Sequence, residues 1–390
     1  MTCYLYLLTP PKAKNSKDKN ERAAMWFHLC FSNRRMVFVK IFFSSCLPAP
    51  PASFFFTLSA GFLFFTFLLI RMKRVLVTTT SFQDTPGSHH ALLESRGYEI
   101  VNARGPLPEA KILELVGDFD GILCGDDAYT RPVLEKCLPR LKVLSKYGIG
   151  LDKINVTAAT ALKIPVCFTP GVNHTTVAEH TFGLLLAIYR NLVEEVNHVK
   201  SGNWKRLTGH ELAGKTLGVV GLGRIGREVV TRARAFGMDV IGYDLYWDDA
   251  FAAQHGVERA PDIDFLIRKS DVITLHTNLT DETRHLINAE RIAAMKDGAV
   301  VLNCARGEIV DNEAIVDGLA SGKLRGYGAD VLDEEPPPAD HPLLRSERAI
   351  ITPHIGSRTY ESVVRQATKS VENLIAVLEG RPPVAQANTF

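Results

Sequence analysis

The run Leu217-Gly218-Val219-Val220-Gly221-Leu222-Gly223-Arg224-Ile225-Gly226-Arg227-Glu228-Val229 constrains this chain more than any other stretch. Leu217 to Val220 has the pattern of a buried strand, and Arg227 to Phe236 continues at helical spacing. The G-x-G-x-x-G between them matches a strand–turn–helix that cradles a dinucleotide. Gly221 permits the tight turn, Gly223 lets backbone N–H groups approach a pyrophosphate, and Gly226 lets helix and strand pack closely. Arg224 and Ile225 then line a helix start whose unpaired N–H groups and dipole favour an anion. A second apolar run, Met238 to Tyr243, ends in Asp244, near the roughly 20-residue offset of the acid that accepts from a ribose 2′-hydroxyl. A carboxylate there repels a 2′-phosphate, so the expected cofactor is NAD rather than NADP.

Composition matters mainly through one discontinuity. Residues 1–71 carry nine Lys and Arg against two acids, and twelve of the chain's twenty Phe. The whole chain is +2, so residues 72–390 carry −5. Such a mildly acidic body lacks the basic face of a nucleic-acid binder. Ser53 to Ile70 is uncharged, just meets the ~18-residue length of a membrane-span candidate, and is followed by Arg71, Lys73 and Arg74. Met72 directly precedes the first strand of a regular α/β pattern. Residues 1–71 are therefore read as extraneous upstream sequence, with a membrane tether through residues 53–70 as the alternative. None of the seven cysteines forms a CxxC pair or sits at zinc spacing with histidines, so no metal is expected. Cys124, Cys137, Cys167 and Cys304 fit reduced thiols and a cytoplasmic setting. Cys304 lies two residues before an arginine of interest, but a nucleophilic thiol there needs a base and a lowered pKa.

From Met72 apolar runs alternate with amphipathic stretches. Strands are expected at 74–78, 98–103, 121–124, 141–147 and 166–169, separated by helices, which implies a parallel, doubly wound sheet. One long helix is expected from about Thr175 to Lys200, bridging two domains. After the glycine-rich turn, further strands are expected at 272–276, 299–304, 326–332 and 350–352. The amphipathic stretch Thr359 to Leu378 should pack back on the first sheet.

Open parallel sheets bind ligands beyond the carboxyl ends of their strands. Arg306-Gly307 follows one expected strand, Glu334-Glu335-Pro336 another, and Pro353-His354 a third. An arginine, an acid and a histidine can thus converge on one cleft, faced by the loop Lys146-Tyr147-Gly148-Ile149-Gly150-Leu151-Asp152.

Six stretches, in order, resemble the D-isomer-specific 2-hydroxyacid dehydrogenase family, most closely its short phosphoglycerate dehydrogenase-like members. They are Gly148 to Asp152, Val177-Ala178-Glu179-His180, Gly221 to Gly226, Leu302 to Gly307, Asp330 to Pro336 and Thr352 to Gly356. The resemblance covers nearly all of residues 72–390. It implies a flavodoxin-like substrate domain (72–172 plus 356–390) and a Rossmann NAD-binding domain (173–355), two doubly wound parallel-sheet domains with a cleft between them. It implies His354 as general acid and base, Glu335 rather than Glu334 as its carboxylate partner, and Arg306 as the clamp on the substrate carboxylate. Backbone N–H groups of Gly148 and Ile149 would hold the other side of that carboxylate. Thr277, Cys304 and Asp330 would lie along the nicotinamide half, with Asp330 accepting from the carboxamide.

The implied activity is NAD-dependent turnover of a small D-2-hydroxy acid, 3-phosphoglycerate first, by a homodimer. The alternatives are glyoxylate or hydroxypyruvate reduction and an NAD-sensing, corepressor-like binding protein. Two departures stand out. Asn278 replaces the family's usual proline after His276-Thr277, and Lys146 stands where phosphoglycerate dehydrogenases usually carry arginine before this loop. Lysine keeps the charge facing the substrate but lacks the bidentate fork.

Overall fold

Short apolar runs such as Val272-Ile273-Thr274-Leu275 are buried on both faces, which suits the centre of a parallel sheet covered by helices on either side. The computed structural model describes residues 71–390 and, before them, three strands, β1 (Leu5–Leu7), β2 (Met25–Phe31) and β3 (Arg35–Ile41), in an antiparallel sheet. The apolar run 53–70 and its alternative readings lie outside the described residues. Among the described residues no helix is long and apolar enough to cross a membrane.

The first α/β layer system runs β4 (Arg74–Val77), α1 (Thr80–Asp84), α2 (Ser88–Glu94), β5 (Glu99–Asn102), α3 (Glu109–Leu115) and β6 (Gly121–Cys124), then α4 (Arg131–Lys136), β7 (Val143–Lys146), α5 (Val156–Ala161) and β8 (Val166–Cys167). Its five strands are parallel in the order β5-β4-β6-β7-β8, the doubly wound order of a flavodoxin-like sheet.

The chain then forms α6 (His174–Tyr189) and α7 (Leu192–Lys200) and enters the second sheet. Its elements begin with β9 (Thr216–Val220), α8 (Arg224–Ala235), β10 (Asp239–Tyr243), α9 (Asp249–His255) and β11 (Val257–Arg259). They continue with α10 (Ile263–Lys269), β12 (Val272–Leu275), α11 (Ala289–Ala294), β13 (Ala299–Asn303), α12 (Asn312–Ala320), β14 (Leu324–Ala329) and β15 (Ala349–Ile351). Seven parallel strands lie in the order β11-β10-β9-β12-β13-β14-β15. The order reverses between β9 and β12, which opens a crevice beyond their carboxyl ends. The final helix α13 (Tyr360–Leu378) returns to the first sheet, with Val363, Ala367, Val371 and Leu374 buried against Val75, Leu123 and Val143.

One expectation is corrected here. The single helix from Thr175 to Lys200 is two helices, broken at Asn191, whose backbone is left-handed at φ 52° and ψ 34°. Asparagine tolerates that conformation better than other non-glycine residues, so the apolar periodicity runs through a break that it cannot reveal. The two halves also differ in burial: α6 is lined with core residues, whereas α7 buries none.

Candidate active site

The dinucleotide turn is built from backbone. Gly221 takes φ 94°, and a Cβ on Gly226 would stand 2.0 Å from the Gly221 carbonyl oxygen, so this helix-to-strand contact admits no side chain. Helices α9 to α12 begin with Asp248, Asp262, Asn288 and Asp311 side chains accepting from first-turn N–H groups, whereas α8 begins at Gly223 without such a cap. A Cβ on Gly223 would meet nothing within 4 Å, so the N-terminus of this 12-residue helix opens onto free space. Uncapped donors, a helix dipole and open room fit the pyrophosphate of NAD. Arg224 and Ile225 occupy the first two positions of α8. Asp244 follows β10 and is tied to the same turn, its Oδ2 accepting from Leu222 N–H at 2.6 Å and its Oδ1 from Tyr246 N–H at 2.7 Å.

The carboxyl ends of both sheets frame a cleft of about 850 Å³. Arg306, Glu335 and His354 all line it, together with Lys146, Thr277 and Cys304. Buried Asn303 shapes the turn that presents Arg306: its Nδ2 donates to the Arg306 carbonyl at 2.8 Å and its Oδ1 accepts from Ala305 N–H at 3.0 Å. A Cβ on Gly307 would lie 1.9 Å from the Leu332 carbonyl carbon, so glycine is what lets the segment leading to Glu335 pass beside the arginine. Arg306 reaches across to the other sheet, where its Nε donates to Asp152 Oδ2 at 2.7 Å.

His354 Nδ1 lies 2.7 Å from Glu335 Oε2, and Glu335 Oε1 accepts from Leu332 N–H at 3.1 Å. Glu335, not Glu334, therefore meets the histidine. Burial alone would lower the His354 pKa. The hydrogen bond and charge of Glu335, with the charges of Asp126 and Asp330, outweigh it and hold the imidazole above its ordinary 6.5. His354 also sits at φ 51°, a left-handed backbone that a histidine holds only when its surroundings impose it.

Asp330 supplies that imposition. Its Oδ1 accepts from Thr352 Oγ1 at 2.6 Å and Ile355 N–H at 2.8 Å, and its Oδ2 accepts from Gly356 N–H at 2.6 Å. His180 Nε2 stands 3.4 Å from Oδ1. These donors more than offset the effect of burial and keep the carboxyl below its usual value. Asp330 thus props the His354 loop while still lining the cleft, and its Oδ2, with one donor, keeps a further acceptor site. A second correction concerns Gly148, whose N–H donates to Thr169 Oγ1 at 3.0 Å. Among the described residues no protein acceptor takes the N–H of Ile149, Gly150, Leu151 or Asp152, and Ile149 and Gly150 are the open donors next to Gly148.

Burial pushes the Cys304 thiol up to about 12, so it is no thiolate nucleophile at neutral pH. Sequence reasoning passed over His276, which lines the cleft beside Thr277 and is pushed down to about 3 by burial. It is a neutral imidazole bonded to Thr274 Oγ1 at 2.8 Å. Asp126 and Asp152 were also missed as partners, because nothing in local spacing marks an acid that matters only across a cleft.

Residues 182–356 match the family model of the D-isomer specific 2-hydroxyacid dehydrogenase NAD-binding domain. The chain is 43% identical over 312 residues to a D-3-phosphoglycerate dehydrogenase of Methanocaldococcus jannaschii, a match covering 79% of this chain and 58% of that protein. It is 40% identical over 292 residues to a glyoxylate reductase of Thermofilum pendens, covering 73% of this chain and 85% of that one. A D-lactate dehydrogenase of Aquifex aeolicus, solved with NAD and lactic acid, shares the fold at a TM-score of 0.70 and 30% identity, over 79% of this chain and 96% of its own.

Proposed function

The chain belongs to the D-isomer specific 2-hydroxyacid dehydrogenases, NAD-dependent oxidoreductases, and on that footing we propose that it interconverts a small D-2-hydroxy acid and its 2-keto acid in the cleft between the two sheets. The observation that carries this reading is the 2.7 Å His354–Glu335 pair standing in one cleft with Arg306, at the open edge of the dinucleotide turn.

In this reading Arg306 binds the substrate carboxylate. Asp152 holds Nε and the Ala305 carbonyl takes one hydrogen of Nη1, so the second hydrogen of Nη1 and both of Nη2, beside Gly150, are left to donate. The N–H groups of Ile149 and Gly150 supply the second side of the cradle. His354, charged through Glu335, donates its proton to the 2-keto oxygen in reduction and, once neutral, takes the hydroxyl proton in oxidation. Bound NAD supplies the hydride donor or acceptor at C2. Asp244 takes the adenosine ribose, and Gly221, Gly223 and Gly226 with Arg224 and Ile225 hold the pyrophosphate. Thr277 and Cys304 border the nicotinamide side. Residues 72–172 with 356–390 form the substrate domain, and 173–355 the NAD domain.

Initial-rate NADH formation by the full chain with D-3-phosphoglycerate, D-glycerate and D-lactate tests the reading. NAD-dependent turnover of at least one acid is expected. NADH binding with no turnover of any 2-hydroxy acid would instead favour a dinucleotide sensor.

A homodimer and a cytoplasmic setting belong to the same proposal. Leu192, Val193, Val196 and Val199 on α7 are each about half exposed, and Trp204 follows them at 77%. An apolar stripe of this kind suits a contact with a second copy. Sedimentation of Val196→Asp should show monomer where the wild type shows dimer. The free, buried Cys124, Cys137 and Cys167 suit a reducing compartment.

A further inference from the structure

The wall of the cleft beside the carboxylate cradle carries an ion pair to which the reading above gives no contact with substrate. Lys146 ends β7 with its side chain only 4% exposed. Its Nζ donates to the Gly125 carbonyl at 2.6 Å and to Asp126 Oδ1 at 2.6 Å. A Cβ on Gly148 would lie 3.5 Å from Lys146 Cε, so the lysine stem runs directly under the Gly148–Gly150 loop. Asp126, on the turn after β6, has a half-exposed side chain in the cleft. Among the described residues, Lys146 is the one donor to it, so Oδ2 remains an acceptor. The charges of His354 and Arg306 both reach Asp126, which puts it within range of whatever those residues hold.

We propose that the Lys146–Asp126 pair reads the C3 substituent of the substrate and selects an uncharged hydroxyl over a phosphate or a second carboxylate. This rests on the dehydrogenase reading of the cleft and narrows its substrate class. An ammonium has three donors, and two of Lys146's are already spent. A hydroxyl completes the set: it accepts the third and donates to Asp126 Oδ2. A phosphate dianion would instead sit against a carboxylate in a sheltered site, or have to displace Asp126 from its lysine, and either repels it. Arg358, which also lines the cleft, donates to Asp84 Oδ2 at 2.7 Å.

The test compares kcat/KM for D-3-phosphoglycerate and D-glycerate in the full chain, in Asp126→Asn and in Lys146→Met, with melting curves confirming that each is folded. Wild type should favour D-glycerate by about tenfold or more. Asp126→Asn should raise the phosphoglycerate-to-glycerate ratio by about tenfold, mainly through the KM of the phosphorylated acid, because Lys146 regains a free charge. Lys146→Met should move the ratio the other way, which keeps the proposal open to refutation if Asp126→Asn does not fold. A wild type that prefers the phosphorylated acid, or a ratio that neither variant moves, overturns the proposal alone. Turnover of neither these acids nor D-lactate overturns the dehydrogenase reading and this proposal with it.

Discussion

The cofactor side and the substrate side of the cleft are made of different materials. Around the dinucleotide turn the decisive groups are backbone: an uncapped helix start, a glycine with positive φ and a 2.0 Å approach that excludes a Cβ. All lie within a dozen residues of one another. On the substrate side the decisive groups are side chains held in pairs, Arg306–Asp152, Lys146–Asp126 and His354–Glu335. The first of these joins residues 154 positions apart. A backbone site tolerates changes in its surroundings but no added atom at Gly221 or Gly226. A paired-charge site tolerates new atoms but is retuned by any change of partner.

Three predictions probe that contrast. His354→Ala should lower kcat by about 10³, roughly 4 kcal/mol, in the range of general acid–base catalysis, with NADH affinity unchanged by fluorescence titration. A parallel loss of NADH binding would show that the two sides are not separable. Gly226→Ala should do the opposite. The inserted methyl should weaken NADH binding and cost about 3 kcal/mol of stability by denaturant unfolding, at the upper end of overpacking costs. Retained affinity would mean that the backbone approach is not what makes the site. A smaller effect is expected from Asp244→Ala, about tenfold in the NADP-to-NAD ratio of kcat/KM, through loss of repulsion toward a 2′-phosphate. Unchanged discrimination would sink the ribose assignment.

The gentlest probe is pH. With its folded pKa raised above the ordinary 6.5, His354 holds its proton to higher pH than a free histidine does, so reduction should keep its rate to higher pH and oxidation should rise through the raised value. Glu335→Gln should move both profiles to lower pH, and profiles that stay put would break the pairing argument. Linkage has the matching sign. The pair's contribution to folding is fully present below pH 6.5 and is lost as pH rises through the folded pKa. It is a small contribution, because His354 is 39% and Glu335 33% exposed and solvent screens them.

Much of this was legible in the residues. Alternating apolar and amphipathic runs indicated parallel sheets, and ladders β9–β12 and β6–β7 follow the expected runs. That Arg306, a glutamate of the Glu334–Glu335 pair and His354 meet in one cleft was legible because strand ends in such sheets face one crevice. The choice of Glu335 came from the family resemblance. What escaped notice had no local signature. Asn191 breaks a helix whose apolar period continues across it, and Gly148 gives its N–H to Thr169, 21 residues away. Nothing local showed that Asp330, whose place along the nicotinamide half was implied by the resemblance, also accepts from three residues of the His354 loop.

By itself the sequence determined the parallel α/β architecture, the dinucleotide turn and the identity of the residues at the strand ends. These depend on periodicity and on backbone geometry over a few residues, which short-range sterics decide. Only the tertiary structure decided which acid holds which base, which N–H groups stay open and which carboxylate props the His354 loop. Those outcomes depend on distances between chain segments set by strand order and by the return of α13, and no local pattern encodes a distance of that kind.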